Sequence, residues 1–300
     1  MERNALLAAG LTSLMWGFTG IFVRLLPTLS PLTVTAGRLL VALVVVLPIL
    51  GLFRSSRQSF KSALKRPIAY VLALLLAGYY LLATADFQMS PVAEVALLLS
   101  TPPLFILVFR RVQGDIPTRT EIGGALLAVA GIILILLPKM SFAGNMPIHH
   151  LAGDVLAMCA AGLTAFYAYM YRILAERGTA PETMGVSLLT FTSGSIVLTL
   201  MIGLAPAPSG WDALDGHALL VFLGLGVLST AIPTIGFAVA SKRLPAVVTA
   251  TISLFIPLFA GLLAFLILGE TLSPMFIPGS ILVLVGIAMI LRQGRGKATD

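Results

Sequence analysis

Ten runs of mostly apolar residues follow one another along this chain, at about 5 to 25, 32 to 52, 67 to 86, 91 to 109, 120 to 137, 151 to 172, 182 to 204, 217 to 239, 245 to 268 and 274 to 291. A helix of ~20 residues crosses ~30 Å of hydrocarbon, so each run has the length of one membrane span. In lipid the backbone must satisfy its own N–H and C=O groups, which makes helices the element expected for such runs. With 58% hydrophobic and 10% charged residues and a mean hydropathy of +1.04, the chain reads as an all-α integral membrane protein whose first partner is the bilayer. Little sequence is left over. No segment between spans is long enough for a nucleotide-binding domain and no G-x-x-x-x-G-K-[ST] loop occurs, which argues against ATP hydrolysis. The single cysteine, Cys159, falls inside the sixth run and is expected to be a packing residue. Nothing calls for a metal or another cofactor. The first run carries Trp16-Gly17 and has no small-residue cleavage site, so it is expected to be a retained helix.

The runs also repeat. Pro91 and Pro103 recur as Pro245 and Pro257 at a shift of 154 residues, while Gly114-Asp115 recurs as Gly269-Glu270 and Gly131-Ile132 as Gly286-Ile287 at a shift of 155. One insertion aligns the two halves, here taken as residues 1–140 and 141–300. Five spans per half is an odd number, so the second half must enter the membrane from the opposite side. Charge tests this independently. The loop after the second span carries Arg54, Arg57, Lys61, Lys65 and Arg66, whereas its counterpart after the seventh carries Asp212, Asp215 and no base. The DFQMS connection before Pro91 has no base, whereas the ASKRL connection before Pro245 has two. With the N-terminus inside, 16 of the 19 Lys and Arg residues fall on inner segments, placing both termini in the cytoplasm. The net charge of +7 thus reports topology, and no soluble basic face exists for a nucleic acid. Inverted halves are an architecture in which a central site is exposed alternately to the two sides.

These residues resemble the EamA-type branch of the drug/metabolite transporter superfamily. The resemblance rests on Leu14-Met15-Trp16-Gly17, Arg38 after Ser30-Pro31, Gly153-Asp154, Gly269-Glu270, and the Gly279 to Gly286 pattern. It implies ten helices in two inverted halves and a central cavity lined by the first four helices of each, with the fifth and tenth peripheral. It also implies outward movement of amino acids, other metabolites or drugs across the inner membrane. The chain departs from equal halves at two points: Thr164 stands where Trp16 would repeat, and Gly114-Asp115 pairs with Gly269-Glu270.

Arg38 is the one base well inside a span, seven residues or ~10 Å past Pro31. Burying that charge costs at least ~2.5–3.5 kcal/mol, so it needs a partner or a wet cavity. Two readings follow: a carboxylate anchor for an anionic or zwitterionic substrate, and a structural ion pair. Glu94, one turn past Pro91, reads as the most deeply placed carboxylate within a span. An acid so close to a helix N-terminus more often complements the dipole or pairs with a base such as Arg38, with proton exchange as the further reading. Trp16 with Ser13 and Gly20, Tyr79 and Tyr80 with Thr84, and Thr164 with Tyr167 and Tyr171 lie on helix faces that could line an amphipathic chamber, to which Thr101 and Ser253 add hydroxyls. The same hydroxyls commonly bond between or within membrane helices. Pro103, Pro233 and Pro257 each remove a helix hydrogen bond and are candidate hinges, or simple kinks. Gly124, Ala128 and Gly131, with Gly279 and Gly286, form small-residue faces suited to close helix contact, which leaves a monomer or a weak homodimer through the peripheral helices.

The function expected is a secondary transporter exporting small organic solutes, amino acids first, with multidrug or other metabolite export as the alternative. From other classes the rivals are a passive solute channel and an intramembrane enzyme. Against the enzyme, no H-E-x-x-H or G-x-S-G occurs, and His149, His150 and His217 lie near span ends without a carboxylate set at metal spacing.

Overall fold

The computed structural model describes residues 2–114, 116–140, 148–204, 214–234, 256–271 and 274–293. Among them no strand occurs. The first half runs through α1 (Glu2–Gly17), α2 (Thr19–Arg24), α3 (Pro31–Leu52), α4 (Arg54–Leu64), α5 (Pro67–Met89), α6 (Val92–Leu98), α7 (Pro102–Val112) and α8 (Arg119–Met140). There follow α9 (Ile148–Glu176), α10 (Thr183–Leu204), α11 (Gly216–Leu223), a π-helical segment (Gly224–Ala231), α12 (Ile256–Leu263), a second π segment (Ala264–Leu268) and α13 (Phe276–Gln293). Among the described residues, six stretches are long and apolar enough to cross a membrane: Pro31–Leu52, Pro67–Met89, Val92–Val112, His150–Ala175, Thr183–Leu204 and Gly216–Thr234.

Local chemistry sets where the helices begin and end. At α3, Ser30 Oγ accepts from Thr33 N at 3.1 Å and Pro31 fills the first helical position, where its missing N–H has no cost. At α11, Asp215 Oδ1 accepts from Ala218 N at 2.7 Å. At α8 the Thr118-x-x-Glu121 sequence closes a reciprocal capping box: Thr118 N donates to Glu121 Oε2 at 2.7 Å and Glu121 N to Thr118 Oγ1 at 3.2 Å. Glu121 also accepts from Arg110 Nη1 at 2.6 Å, which ties α7 to α8. Glu121→Ala is therefore expected to cost about 1.5–3 kcal/mol, because it leaves charged and backbone donors without their acceptor. Thermal unfolding in detergent would read the loss, and an unchanged midpoint would deny Glu121 this role. Gly114 and Gly269, equivalent positions of the repeat, both adopt left-handed φ of +91° and +65° after the fourth and ninth runs, a conformation natural to glycine.

Two elements differ from the sequence reading. The basic stretch 54 to 66, expected as a loop, is mostly the helix α4, with Ser56, Ser59 and Ala63 buried and its bases turned outward. A polar amphipathic helix has no apolar run to announce it. The first run is interrupted at Phe18 between α1 and α2, so Ser13, Trp16 and Gly20 do not share one unbroken helix.

The bundle has an apolar core but, unlike a water-soluble protein, an apolar exterior as well. Large apolar side chains such as Leu47, Leu126, Leu200, Leu220 and Ile277 are exposed, while Arg38, Asp86, Thr33, Thr190 and Thr230 are buried. Lipid supplies the apolar environment outside, so close packing and hydrogen bonds must hold the helices together. The most extensive contact is between α8 and α13, followed by α5 with α9 and α10 with α3. Smaller contacts join α3 to the Gly224–Ala231 segment, α10 to α5, α6 and α1 to α12, α9 to α7, and α1 to Gly224–Ala231. The α8 and α13 helices run antiparallel and meet at glycines: a Cβ on Gly124 would lie 2.6 Å from the Gly286 carbonyl oxygen, and one on Gly279 would lie 2.9 Å from that of Gly131. The small-residue faces offered for dimerisation are thus occupied by one another within the chain.

Candidate functional site

Arg38 is 1% exposed, in the second turn of α3. Its Nε donates to Thr230 Oγ1 at 3.0 Å and its Nη2 to the Ser229 carbonyl at 3.2 Å. The Ser229 carbonyl is open to such a donor because of Pro233. Four residues on, proline has no N–H to return to it. The wide π turns of Gly224–Ala231 lie at the same place, and such irregularities recur at functional sites. The guanidinium carbon sits 4.7 Å from the ring centre of Tyr80, a cation–π distance. Tyr80 Oη lies 3.4 Å from Thr234 Oγ1, and the Tyr79 ring packs 5.3 Å from that of Tyr80. Arg38, Tyr79, Tyr80 and the Ser229 to Thr234 stretch thus meet between α3, α5 and the Gly224–Ala231 segment. Nη1 of Arg38 is buried and has no hydrogen-bond partner among the described residues.

No carboxylate pairs with Arg38 among the described residues, so the ion-pair reading, including a bridge to Glu94, is not what the structure contains. The hydroxyl of Thr230 is a specific acceptor here. Thr230→Val would keep the shape and strand Arg38 Nε, an expected loss of about 1–3 kcal/mol, whereas Thr230→Ser should stay close to wild type. Equal melting of both variants in detergent would show that the contact is dispensable.

The other candidates are dispersed. Trp16 is half-buried in the last turn of α1, whose Met15 carbonyl accepts from Ser229 Oγ at 3.1 Å, so α1 borders the Arg38 cluster. Thr84 Oγ1 donates to the Tyr80 carbonyl at 2.8 Å, Thr164 Oγ1 to Ala160 at 3.1 Å, and Thr101 Oγ1 to Leu98 at 2.7 Å. The first two hydroxyls satisfy their own helices, while Thr101, in the break between α6 and α7, caps the end of α6 and lies 3.8 Å from Met158 Sδ on α9. Tyr167 stacks near Tyr171, with ring centres 5.9 Å apart, against Leu72, Ala73 and Leu189, in a different apolar cluster from that of Tyr80. Tyr171 Oη donates to the Pro181 carbonyl, which ties the end of α9 to the start of α10. Ser253 lies outside the described residues, as do Pro245 and Asp115.

The prolines also resolve into distinct roles. The fourth run is fully interrupted over residues 99 to 101, because Pro102 opens α7 and Pro103 follows it. Proline disfavours helical backbone in the residue before it, so the break falls earlier than a kink at Pro103 alone would place it. Ser100 Oγ covers the Ala96 carbonyl at 2.9 Å. Pro257 is buried in α12, and Pro233 is the proline that bears directly on Arg38.

Glu94 is 5% exposed at the start of α6, but it is not the most deeply placed carboxylate. Asp86 is 0% exposed. The sequence reading assigned Asp86 to a connection after the third span, whereas α5 continues to Met89 and ends only at Ser90-Pro91. Near it, Arg24 Nη2 donates to the Ser90 carbonyl at 2.7 Å, Arg24 Nε lies 3.7 Å from Glu270 Oε1, and Glu270 Oε2 accepts from Val92 N at 2.9 Å. Ser90 Oγ donates to the His150 carbonyl at 2.6 Å. This network closes one end of the bundle across both halves. A shallow apolar groove of about 350 Å³ between α7 and α9, lined by Phe105, Leu151, Val155, Met158 and Gly162 among others, includes none of the Arg38 cluster.

Comparison with known proteins gives this arrangement a family. The EamA-like transporter family matches residues 3–137 and again residues 151–292. The chain belongs to that family. That family is described as one of transporters, and the apolar helices of this chain accord with an integral membrane protein. An "uncharacterized transporter" of Archaeoglobus fulgidus is 24% identical over 285 residues, 94% of each chain. A protein of Pseudomonas aeruginosa named only as uncharacterized is 33% identical over 178 residues, which are 58% of this chain and 56% of that one. An "uncharacterized transporter" of Clostridium kluyveri is 24% identical over 180 residues, 58% of this chain and 55% of its own. The EamA-like chain thus spans little more than half the length of the Pseudomonas and Clostridium relatives. A solved structure titled "Crystal structure of protein" has a TM-score of 0.67 at 20% identity and covers 98% of both chains, a likeness of fold.

Proposed function

We propose that this EamA-like protein is a secondary transporter that exports small organic solutes, amino acids foremost, from the cytoplasm by alternating access. The observation that carries the reading is Arg38: a buried cation that has, among the described residues, no carboxylate partner and an unused donor, held between a first-half helix and a second-half segment. A site at the joint between halves is where rocking one against the other would change access. Arg38 serves as the substrate's anion anchor, and Tyr79, Tyr80 and Trp16 provide aromatic wall.

Ten spans in two inverted halves, residues 1–140 and 141–300, with both termini cytoplasmic, frame this reading. Its support is the pairing of contacts. The packing of α1 on α12 has its counterpart in α9 on α7, α1 on Gly224–Ala231 in α9 on α5, and α3 on Gly224–Ala231 in α10 on α5. Equivalent runs meet one another as α3 with α10, α6 with α12 and α8 with α13. A two-fold axis in the membrane plane generates such a pattern. The basic loops then face the cytoplasm, and the Arg24, Ser90 and Glu270 network closes the outer end. The chain is read as a self-sufficient monomer in the inner membrane.

The test is uptake of a labelled amino-acid panel into proteoliposomes, with and without an imposed pH gradient, against protein-free vesicles. Saturable uptake is expected, and its response to the gradient reports coupling. Failure of folded protein to take up any amino acid would overturn the amino-acid assignment and move the substrate to another metabolite or drug class.

A further inference from the structure

We propose that Asp86 receives the ammonium of the substrate, so that an α-amino acid lies between two poles, its carboxylate on Arg38 and its ammonium on Asp86. The inference deepens the reading of Arg38 as substrate anchor and rests on it. Arg38 and Asp86 are 1% and 0% exposed. Among the described residues, Nη1 of Arg38 and both carboxylate oxygens of Asp86 have no hydrogen-bond partner. The N–H of Phe87 lies beside that carboxylate, but within α5 it is directed to the carbonyl four residues back. A buried donor of positive charge and a buried acceptor of negative charge are thus left open, and they do not meet each other. Each is costly to bury unmatched, and a ligand with an anionic and a cationic end would satisfy both.

The spacing suits such a ligand. Arg38 and Asp86 both act on Tyr79 through their charges. Tyr79 and Asp86 are seven residues apart, two turns along α5, and so share a face. Asp86 lies six residues, about 9 Å along the helix, beyond the Tyr80 ring that Arg38 covers. Side chains of a helix lean toward its N-terminus, which turns the Asp86 carboxylate back toward Tyr79. The carboxylate and ammonium of an α-amino acid are ~3 Å apart, and a charge-assisted hydrogen bond of ~2.8 Å at each end extends its reach to ~8–9 Å. Tyr79 and Tyr80 then flank its path, with ring faces for an apolar side chain. Asp154, 1% exposed, sets a second negative charge against Asp86, which favours an ammonium at this pole and the carboxylate at the other. An ammonium also supplies the opposite charge that keeps a buried carboxylate ionised.

Matched pairs test this by direct binding to the purified protein at neutral pH: phenylalanine against hydrocinnamate and leucine against isocaproate, each partner acid lacking only the ammonium. In wild type the amino acid of at least one pair is expected to bind at least about tenfold more tightly than its partner. Asp86→Asn, close in shape, should remove that advantage and leave the partner acid within about twofold of its wild-type affinity, whereas Arg38→Lys should weaken both. Partner acids binding wild type as tightly as the amino acids would overturn the Asp86 pole without recourse to a variant. So would a folded Asp86→Asn protein that weakens both members of a pair equally, or neither; if Arg38→Lys still weakens both, the anchor stands. Binding indifferent to Arg38→Lys in a folded variant, or no binding of either amino acid, would overturn the two-pole site together with the reading it rests on.

Discussion

Arg38→Ala is expected to reduce transport by about 10- to 150-fold, the effect of losing about 1.5–3 kcal/mol of charged hydrogen bonding, while the protein still inserts into the membrane. The side chain is buried, joins α3 to the Ser229–Thr230 stretch and has in Nη1 a donor without a partner among the described residues. Uptake per folded molecule in proteoliposomes is the measurement, because the substitution also leaves the Ser229 carbonyl without Arg38 as its donor and so lowers stability. Arg38→Lys serves as the companion. It preserves a cation but cannot hold Thr230 and Ser229 as the planar fork does, so it should lie nearer to alanine than to wild type. Normal transport by either folded variant would remove Arg38 from the mechanism.

The second large effect concerns stability and changes sign between adjacent residues. A Cβ on Gly124 would lie 2.6 Å from the Gly286 carbonyl and 3.0 Å from Met289 Cβ, so Gly124→Ala must push α8 and α13 apart. Overpacking of this kind costs about 1–3 kcal/mol, and valine at the same site should cost more. At Gly123 the nearest atom to a new Cβ is Met289 Cε at 3.9 Å. Gly123→Ala should therefore stabilise α8 by up to about 0.5–1 kcal/mol through helix propensity alone. Thermal unfolding of the two variants side by side would separate these outcomes. A common shift in one direction would mean that α8 and α13 do not pack as described.

What was legible in the sequence follows from what is periodic or local. Apolar runs, cap residues such as Ser30 and Asp215, and the repeated Gly114 and Gly269 announce helices and their ends within a few residues of chain. Arg38 stood out as a lone base in a span. Its partners did not, because Thr230 is 192 residues away and nothing local links them. Pro233 was readable as a broken hydrogen bond, but not the identity of the donor that replaces it. Asp86 was misread since DFQMS has the composition of a connection, although the helix continues to Met89 and ends only at Ser90, the residue before Pro91. The hydroxyls of Thr84, Thr101 and Thr164 could have served a cavity or their own helices, and only the carbonyl each one meets decides it.

The glycine joint between α8 and α13 holds one more consequence. It brings residue 124 against 286 and residue 279 against 131. At the repeat's shift of 155, residue 124 corresponds to 279 and 131 to 286, so each contact is the image of the other. That is the rule of an isologous interface, in which one surface complements a copy of itself. On the proposed division into two halves, each half carries both sides of the joint, and a separate chain of one such half with these glycines would hold the information to pair with its own twin. Joining the two into one polypeptide releases that constraint: either helix can now change at a residue outside the glycine contacts without imposing the same change on the other.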